Sequence, residues 1–218
     1  MPDAVIGHAW FDTPNAEDVI ARQAARPMVR SIRSKPKTSS APGVLAPDVP
    51  GSMDDPKWRR GLKLLEKYGL NYDLRVPPWH LAEAVEIVRL ISSTPVILNH
   101  TGFPWDRGEA GMELWRSAMT AMAAEPNTLV KLSEFGLRNA PWNYSENRAI
   151  VLETIELFGP ERCMFASNFP VAGLRIDFDS LYSAYKSMVE DFSDREKLQL
   201  FRDTAAEAYR LDLANQDA

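Results

Sequence analysis

The 218-residue chain contains a single cysteine and no long hydrophobic run. Cys163 cannot form an internal disulfide, and its apolar neighbours in the sequence favour a buried, unreactive thiol over a reactive one. No segment approaches the roughly 20 apolar residues that a membrane helix requires, and no signal peptide is recognisable at the start. These absences predict a protein of a reducing compartment, placed in the cytoplasm, with no membrane partner.

Basic charge and nucleotide-binding motifs are also scarce. Lysine and arginine number 25 against 30 aspartates and glutamates, so the net charge is -5 and no basic stripe favours nucleic acid as a partner. The chain lacks a Gly-x-Gly-x-x-Gly loop, a P-loop and a Gly-x-Ser-x-Gly elbow, which disfavours nucleotide binding and serine-hydrolase chemistry. None of the three histidines forms a His-x-His or His-Glu-x-x-His pair, so the sequence shows no complete metal site.

The chain does contain a series of strand-like apolar runs that end on a polar or ionisable residue and precede a helical stretch. The clearest span residues 28–33, 71–76, 95–100, 128–134 and 162–170. Alternation of strands and helices predicts an α/β fold with about six parallel strands. Such folds place their chemistry at the carboxyl ends of the strands, so we expect one pocket built from many strands.

The whole chain, residues 1–218, is interpreted as a single domain, because no convincing boundary interrupts the alternation. Residues 34–54 are rich in proline, serine and glycine, and this composition predicts a long irregular loop. Loops of this length in compact domains are functional lids or disordered, and the flanking strands favour a lid. The helix after this loop is predicted to start at Asp54 or Asp55 and to end at Gly69, and Asn15 is predicted to cap the first helix.

Three polar side chains at strand ends are candidates for chemistry, and His100 is the strongest. Imidazole suits proton transfer or metal ligation near neutral pH, although a histidine that merely caps a strand is an equal alternative. His8 also ends a strand, where a structural role is favoured, and His80 is interpreted as a surface group. Asn168 follows the last strand and can donate and accept hydrogen bonds, but it cannot act as a general base.

Several further side chains are expected to bind substrate. Arg33 ends the second strand, where a guanidinium can hold a carboxylate or a lactone carbonyl, or form a salt bridge at the rim. Asp73 and Arg75 alternate on one strand and can pair with each other or contact the substrate. Lys131 is costly inside a barrel unless it is paired, so it is either functional or faces outward. Trp105, like Trp79 and Trp142, lies in a strand-to-helix connection and is a candidate pocket wall, although aromatic packing under a loop is the commoner role.

Several segments of the chain together resemble one family. They include Val96-Ile-Leu-Asn-His-Thr-Gly102 and, as the more specific signal, Phe158-Gly-Pro-Glu-Arg-Cys-Met-Phe-Ala-Ser-Asn-Phe-Pro170. In order and over nearly the whole chain, these segments are similar to the amidohydrolase 2 branch of the amidohydrolase superfamily. Its members are TIM-barrel metal-dependent hydrolases, among them sugar-lactone and pyrone-dicarboxylate lactonases. The resemblance implies an incomplete (β/α)8 barrel in which the first two strands of the family, with their His-x-His pair, are absent.

The resemblance also implies a hydrolase that opens a lactone or a related cyclic ester. His100 would be the polarising or basic group and a candidate metal ligand, Arg33 the substrate anchor, and Asn168 a hydrogen-bond donor where many relatives carry an aspartate. A divalent zinc or manganese ion is implied as cofactor, or no metal at all, given the missing His-x-His pair. The expected partner is a small-molecule substrate, and a second copy of the chain could cover the gap in the barrel. The alternatives are a decarboxylase of the same superfamily and an inactive binding chain.

Overall fold

The computed structural model describes residues 2–44 and 49–213 of the chain. Within them, six parallel strands form one sheet, and each strand pairs with the next in chain order. The strands are β1 (Val5–His8), β2 (Val29–Arg33), β3 (Asn71–Leu74), β4 (Val96–Leu98), β5 (Thr128–Leu132) and β6 (Cys163–Phe165). This arrangement confirms the predicted α/β fold and corresponds to an incomplete barrel of parallel strands.

Helices occupy most of the connections between strands. The described part of the chain contains α1 (Ala16–Ala24), α2 (Pro56–Tyr68), α3 (Leu81–Leu90), α4 (Glu109–Ala123), α5 (Tyr144–Phe158), α6 (Phe178–Met188), α7 (Asp194–Leu198) and α8 (Thr204–Tyr209). A single π-helical turn, Gln199–Asp203, joins α7 to α8. None of the helices in this part is long and apolar enough to cross a membrane.

The sequence signals at the ends of α2 act as predicted. The Asp55 carboxylate accepts a hydrogen bond of 2.8 Å from the backbone N–H of Lys57, and Pro56 occupies the first turn. Gly69 ends the helix in the left-handed conformation, with φ 62°, which glycine adopts at little cost. The buried stripe of α2, formed by Trp58 and two leucines, packs in the main core.

The predicted cap of α1 is wrong. Asn15 makes no side-chain hydrogen bond to the helix, and its backbone, at φ -101° and ψ 16°, lacks the extended conformation in which a cap side chain reaches the next turn. The turn before the helix is closed instead by the backbone of Ala16, which donates to the carbonyl of Thr13 at 3.1 Å. The spacing of residues in the sequence therefore predicted the wrong cap, because the turn before α1 determines the backbone conformation of Asn15.

Apolar side chains pack on both faces of the sheet. Val96 and Leu98 point into the main core together with the outer helices, whereas Ile97 between them joins a smaller cluster with Met164 and Tyr209. Successive residues of a strand point to opposite faces, so Ile97 and Met164 mark the inner face of the sheet. Because Tyr209 belongs to α8, this helix packs against that inner face.

Cys163 lies on the outer face of β6 and is buried, as predicted for an unreactive thiol. Burial raises the pKa of the thiol, which keeps it protonated at neutral pH.

The loop predicted over residues 34–54 contains no helix or strand in its described parts, 34–44 and 49–54, and its residues 45–48 lie outside the described chain. Both ends are held in place. The carbonyl of Ser34 accepts a 2.8 Å hydrogen bond from the Tyr72 hydroxyl, and the backbone N–H of Lys37 donates to the carbonyl of Gly51 at 2.8 Å. The role of this loop as a lid stays a prediction.

The same loop explains why the surface position predicted for His80 is wrong. His80 is only 2% exposed, because the loop crosses over it. Its Nε2 accepts a 2.9 Å hydrogen bond from the backbone N–H of Ser39, and its Nδ1 lies 2.8 Å from the Glu83 carboxylate. A position in a proline-rich turn does not reveal which distant segment will cover it.

Candidate active site

A buried carboxylate lies at the centre of the inner face. Asp73 of β3 is fully buried, and its Oδ1 accepts a 2.7 Å hydrogen bond from Nζ of Lys131 on β5. Nη2 of Arg33, at the end of β2, lies 3.6 Å from the same oxygen. The predicted pairing of Asp73 with Arg75 is wrong, because Arg75 lies beyond the end of β3 and its guanidinium packs 4.8 Å from the centre of the Phe103 ring.

The neutral side chains of Asn99 and Tyr209 also contact Asp73. Asn99 donates to Oδ1 at 3.1 Å and accepts a 2.6 Å hydrogen bond from Arg33 through its own carbonyl oxygen. The Tyr209 hydroxyl donates to the carboxylate at 3.1 Å. Burial pushes the pKa of Asp73 upward, but the charge and hydrogen bond of Lys131 outweigh burial and hold the pKa below its ordinary value. Asp73 is therefore ionised and orients Lys131 and Arg33, while its predicted contact with substrate stays a prediction.

His100 lies directly above this network, two residues after β4. Its ring is buried, packs against Phe103 with a centroid distance of 5.0 Å, and places Nδ1 3.0 Å from the Ser133 hydroxyl. Burial, together with the positive charges of Arg33, Arg75 and Lys131, lowers the pKa of His100 to about 3. The imidazole is therefore neutral at physiological pH.

The neutral state of His100 makes the stability of the fold depend on pH. A histidine in the unfolded chain takes up a proton near pH 6.5, whereas the pKa of folded His100 is about 3. The unfolded state thus binds more protons in this window, so stability is complete above about pH 6.5 and falls by about 1.4 kcal/mol per unit as the pH drops toward 3. Denaturant unfolding of the wild type and of His100→Asn between about pH 7 and 4 should show the steeper loss in the wild type; parallel curves would contradict a buried neutral ring.

Three basic side chains, Arg33, Lys35 and Arg75, form the entrance of the site, here called the cationic mouth. Arg75 and Arg33 lower the pKa of Lys35, while burial and Arg33 lower the pKa of Arg75, so the three cations are close enough to repel one another. Within residues 2–44 and 49–213, Arg75 forms no hydrogen bond or ion pair, and the buried Nε of Arg33 has no partner. Unpaired guanidinium donors of this kind suit an anionic ligand.

Asn168 and Glu134 form a second polar pair at the neighbouring strand ends. The amide nitrogen of Asn168, which follows β6, donates a hydrogen bond to Oε2 of Glu134, which follows β5. Our interpretation of the sequence missed Glu134 as a functional candidate, although it ends the run 128–134 much as His100 ends the run before it. Its position at a strand end was the available signal.

A cavity of about 790 Å³ opens beside this pair, between the connections that follow β5 and β6. Glu134 and Ser167 contribute polar atoms, and Trp105 and Trp142 line the cavity. Trp105 is 42% exposed and packs against Phe103 in a tilted arrangement, with a centroid distance of 4.5 Å. Trp105 therefore joins the cavity to the aromatic ring that supports Arg75.

The structure brings the sequence-predicted residues to one edge of the sheet. Arg33 contacts Asn99, the neighbour of His100, and His100 contacts Ser133, the neighbour of Glu134. Glu134 in turn contacts Asn168. This chain of contacts runs along the carboxyl ends of β2, β4, β5 and β6, which is the edge where parallel α/β sheets carry their sites.

Two relatives share much of this chain. The uncharacterized protein y4mH of Sinorhizobium fredii is 36% identical over 211 residues, which cover 97% of this chain and 71% of that protein. An L-fucono-1,5-lactonase of Burkholderia multivorans is 29% identical over 177 residues, which cover 75% of this chain and 59% of the lactonase. The chain is thus shorter than the relatives that it matches.

A solved relative raises the question of a metal. The crystal structure of an amidohydrolase from Burkholderia multivorans with bound zinc matches with a TM-score of 0.83 and 25% identity, covering 96% of this chain and 74% of that one. In the part of the chain described here, no group of three His, Cys, Asp or Glu side chains could hold a metal ion. His100 is surrounded by cations, and an Asn168 amide is a poor ligand. The described donors do not fit a metal centre, so we assign no step to one.

The family itself follows from the whole-chain match. The family model for amidohydrolases of the amidohydrolase 2 branch matches residues 1–211. The six-stranded parallel sheet and its structural likeness to a solved amidohydrolase agree with that match. With its polar side chains gathered at the carboxyl edge of this sheet, the chain belongs to the amidohydrolase family.

Proposed function

We propose that this protein hydrolyses the ring ester of a lactone that carries a carboxylate group. The observation that carries the proposal is the position of two under-paired guanidinium groups, Arg33 and Arg75, beside the neutral ring of His100. A charged substrate group can satisfy these donors, and a neutral imidazole beside it can act on a carbonyl. The name of the L-fucono-1,5-lactonase relative, at 29% identity, supports the lactone class.

His100 is proposed to polarise the carbonyl of the ring ester. A neutral imidazole carries one N–H, and Nδ1 already lies 3.0 Å from the Ser133 hydroxyl. With that hydroxyl donating to Nδ1, the proton resides on Nε2, which has no partner among the described residues and can donate to a carbonyl oxygen. The negative charge that develops on this oxygen is then stabilised by His100 and by the neighbouring cations.

The remaining residues are proposed to bind and orient the substrate. Arg33 and Arg75, assisted by Lys35, hold the carboxylate, and Asp73 keeps Arg33 in place through their 3.6 Å ion pair. Trp105 provides an apolar wall. Asn168 hydrogen-bonds to the attacking water or to the substrate. A small-molecule partner and self-association both stay predictions.

The proposal predicts a preference for anionic lactones that depends on Arg75. The assay uses matched lactones with and without a carboxylate substituent and measures acid release with and without added zinc or manganese. The lactones that carry a carboxylate should show at least about tenfold higher kcat/KM. Arg75→Met should raise KM for acidic lactones about 10- to 100-fold, the range expected for a lost charge-assisted hydrogen bond, and should leave neutral lactones nearly unaffected. Arg60→Met on the exposed face of α2 is the matched control.

Two outcomes would count against this function. Failure of the unaltered chain to open any lactone under either metal condition would overturn the proposal. Release of carbon dioxide from an aromatic acid, without lactone opening, would indicate a decarboxylase of the same superfamily instead.

A further inference from the structure

Three successive strands end in the same unusual backbone conformation. His100, Glu134 and Asn168, which follow β4, β5 and β6, have φ values of 61°, 60° and 53°. Residues other than glycine rarely adopt positive φ, and such strained conformations persist mainly at functional sites. Asparagine tolerates this conformation better than most residues, but glutamate has no such tendency. Glu134 therefore shares its backbone conformation with His100 and Asn168, the two strand-end residues that the proposed function already uses.

Glu134 is held between its two neighbours by direct contacts. Asn168 donates a hydrogen bond to Oε2 of Glu134, while Ser133, the residue before it, contacts Nδ1 of His100 at 3.0 Å. The Thr101 hydroxyl accepts from the backbone N–H of Ser133 and donates to its carbonyl, both at 3.1 Å. The end of β5 is thus fastened to the end of β4, and the carboxylate is positioned by both adjacent strands.

The surroundings of Glu134 allow it to meet a substrate. It is partly exposed and is the only carboxylate among the described residues that line the cavity of about 790 Å³. Its charge raises the pKa of Arg75 against the opposing effects of burial and Arg33, which places the carboxylate near the proposed anchor. A water molecule bound by Glu134 would therefore lie at the junction of the cavity and the cationic mouth.

The other two strand-end residues cannot take a proton from water effectively. An amide such as Asn168 has no basic site. In the proposed function, Nδ1 of His100 accepts a hydrogen bond from the Ser133 hydroxyl and Nε2 carries the proton that polarises the carbonyl, so neither ring nitrogen is free to take a proton. Removal of a proton from water needs a base, and Glu134 is the carboxylate that lines the cavity, whereas Asp73 is buried and bound by Lys131.

We infer that Glu134 is the general base of the ring opening, an assignment that rests on the proposed function. Its carboxylate takes a proton from water as the water oxygen bonds to the lactone carbonyl carbon. Collapse of the tetrahedral intermediate breaks the bond to the ring oxygen, which receives that proton from Glu134. The product is the open hydroxy acid and the carboxylate is regenerated. Asn168 positions Glu134 through their hydrogen bond.

The test compares Glu134→Gln with Glu190→Gln, an exposed glutamate far from the site in sequence. Glu134→Gln can still accept the hydrogen bond of Asn168, so we expect little change in KM and a fall in kcat of about 100-fold or more, the usual contribution of a general base. Glu190→Gln should keep wild-type rates. Since glycine accepts a positive φ and leaves space for a small acid, Glu134→Gly should be inactive and should regain at least tenfold activity in added formate.

The outcomes separate the two proposals. A wild type that opens lactones, with kcat of Glu134→Gln within threefold of it, would overturn this inference and leave the proposed function intact. An inactive Glu134→Gly that formate does not rescue would reassign Glu134 to positioning and also overturn its role as base. Should Glu134→Gln fail to fold, the formate response of Glu134→Gly decides. A wild type without lactonase activity would overturn both proposals.

Discussion

Asp73→Asn is expected to lower the free energy of unfolding by about 3–5 kcal/mol, the usual cost of removing one partner from a buried ion pair. The substitution leaves Lys131 inside the sheet without the carboxylate that lies 2.7 Å from its ammonium group. Arg33 loses its counterion at the same time. A side chain of nearly equal size replaces the aspartate, so the loss reports on charge and not on packing.

Denaturant unfolding measures this effect, with two controls. Asp191→Asn removes an exposed carboxylate after α6 and should change stability by less than about 0.5 kcal/mol. The double variant Asp73→Asn with Lys131→Met should recover part of the loss, since it removes the unpaired ammonium group but leaves Arg33 without its counterion. A loss below about 1 kcal/mol in the single variant would show that the network is not a buried ion pair in solution.

His100→Asn is expected to reduce kcat/KM on the best lactone by about 100-fold or more, the range in which a positioned proton donor contributes. Asparagine is the chosen replacement because it tolerates the φ of 61° at this position, where alanine would add strain. The variant should fold normally at neutral pH. Steady-state kinetics on the wild type and the variant provide the measurement.

His8→Asn is the matched control, since His8 also ends a strand but is exposed, with its ring edge-to-face against Trp10. It should retain the wild-type rate. A His100→Asn rate within threefold of the wild type would remove His100 from the proposed mechanism, whereas an equal loss in both histidine variants would point to a general effect on the fold.

Much of the fold was predictable because its signals are local. Strands and helices alternate in the sequence, and caps such as Asp55 and Gly69 lie next to the helix that they delimit. Parallel strands joined by helices must present the same ends at one edge, so Arg33, His100 and Asn168 could be assigned to a common site. Their individual chemical roles stay predictions.

The failures concern contacts between segments that are distant in sequence. Asp73 pairs with Lys131, 58 residues away, and with Tyr209, 136 residues away, whereas the nearer Arg75 was expected. His80 is buried by a loop some 41 residues before it. No local pattern specifies such partners, because each contact depends on the register of neighbouring strands and on the path of the loops in the folded chain.

The succession of residues along the chain is therefore enough to establish the α/β class, the amidohydrolase resemblance and the edge of the sheet that carries the polar groups. Folding in three dimensions adds the partner of each charge, the neutral state of His100 and the contact that places Glu134 beside Asn168. The physical reason is range: backbone preferences and periodicity act over a few residues, while burial and electrostatics act between whatever the packed elements bring together.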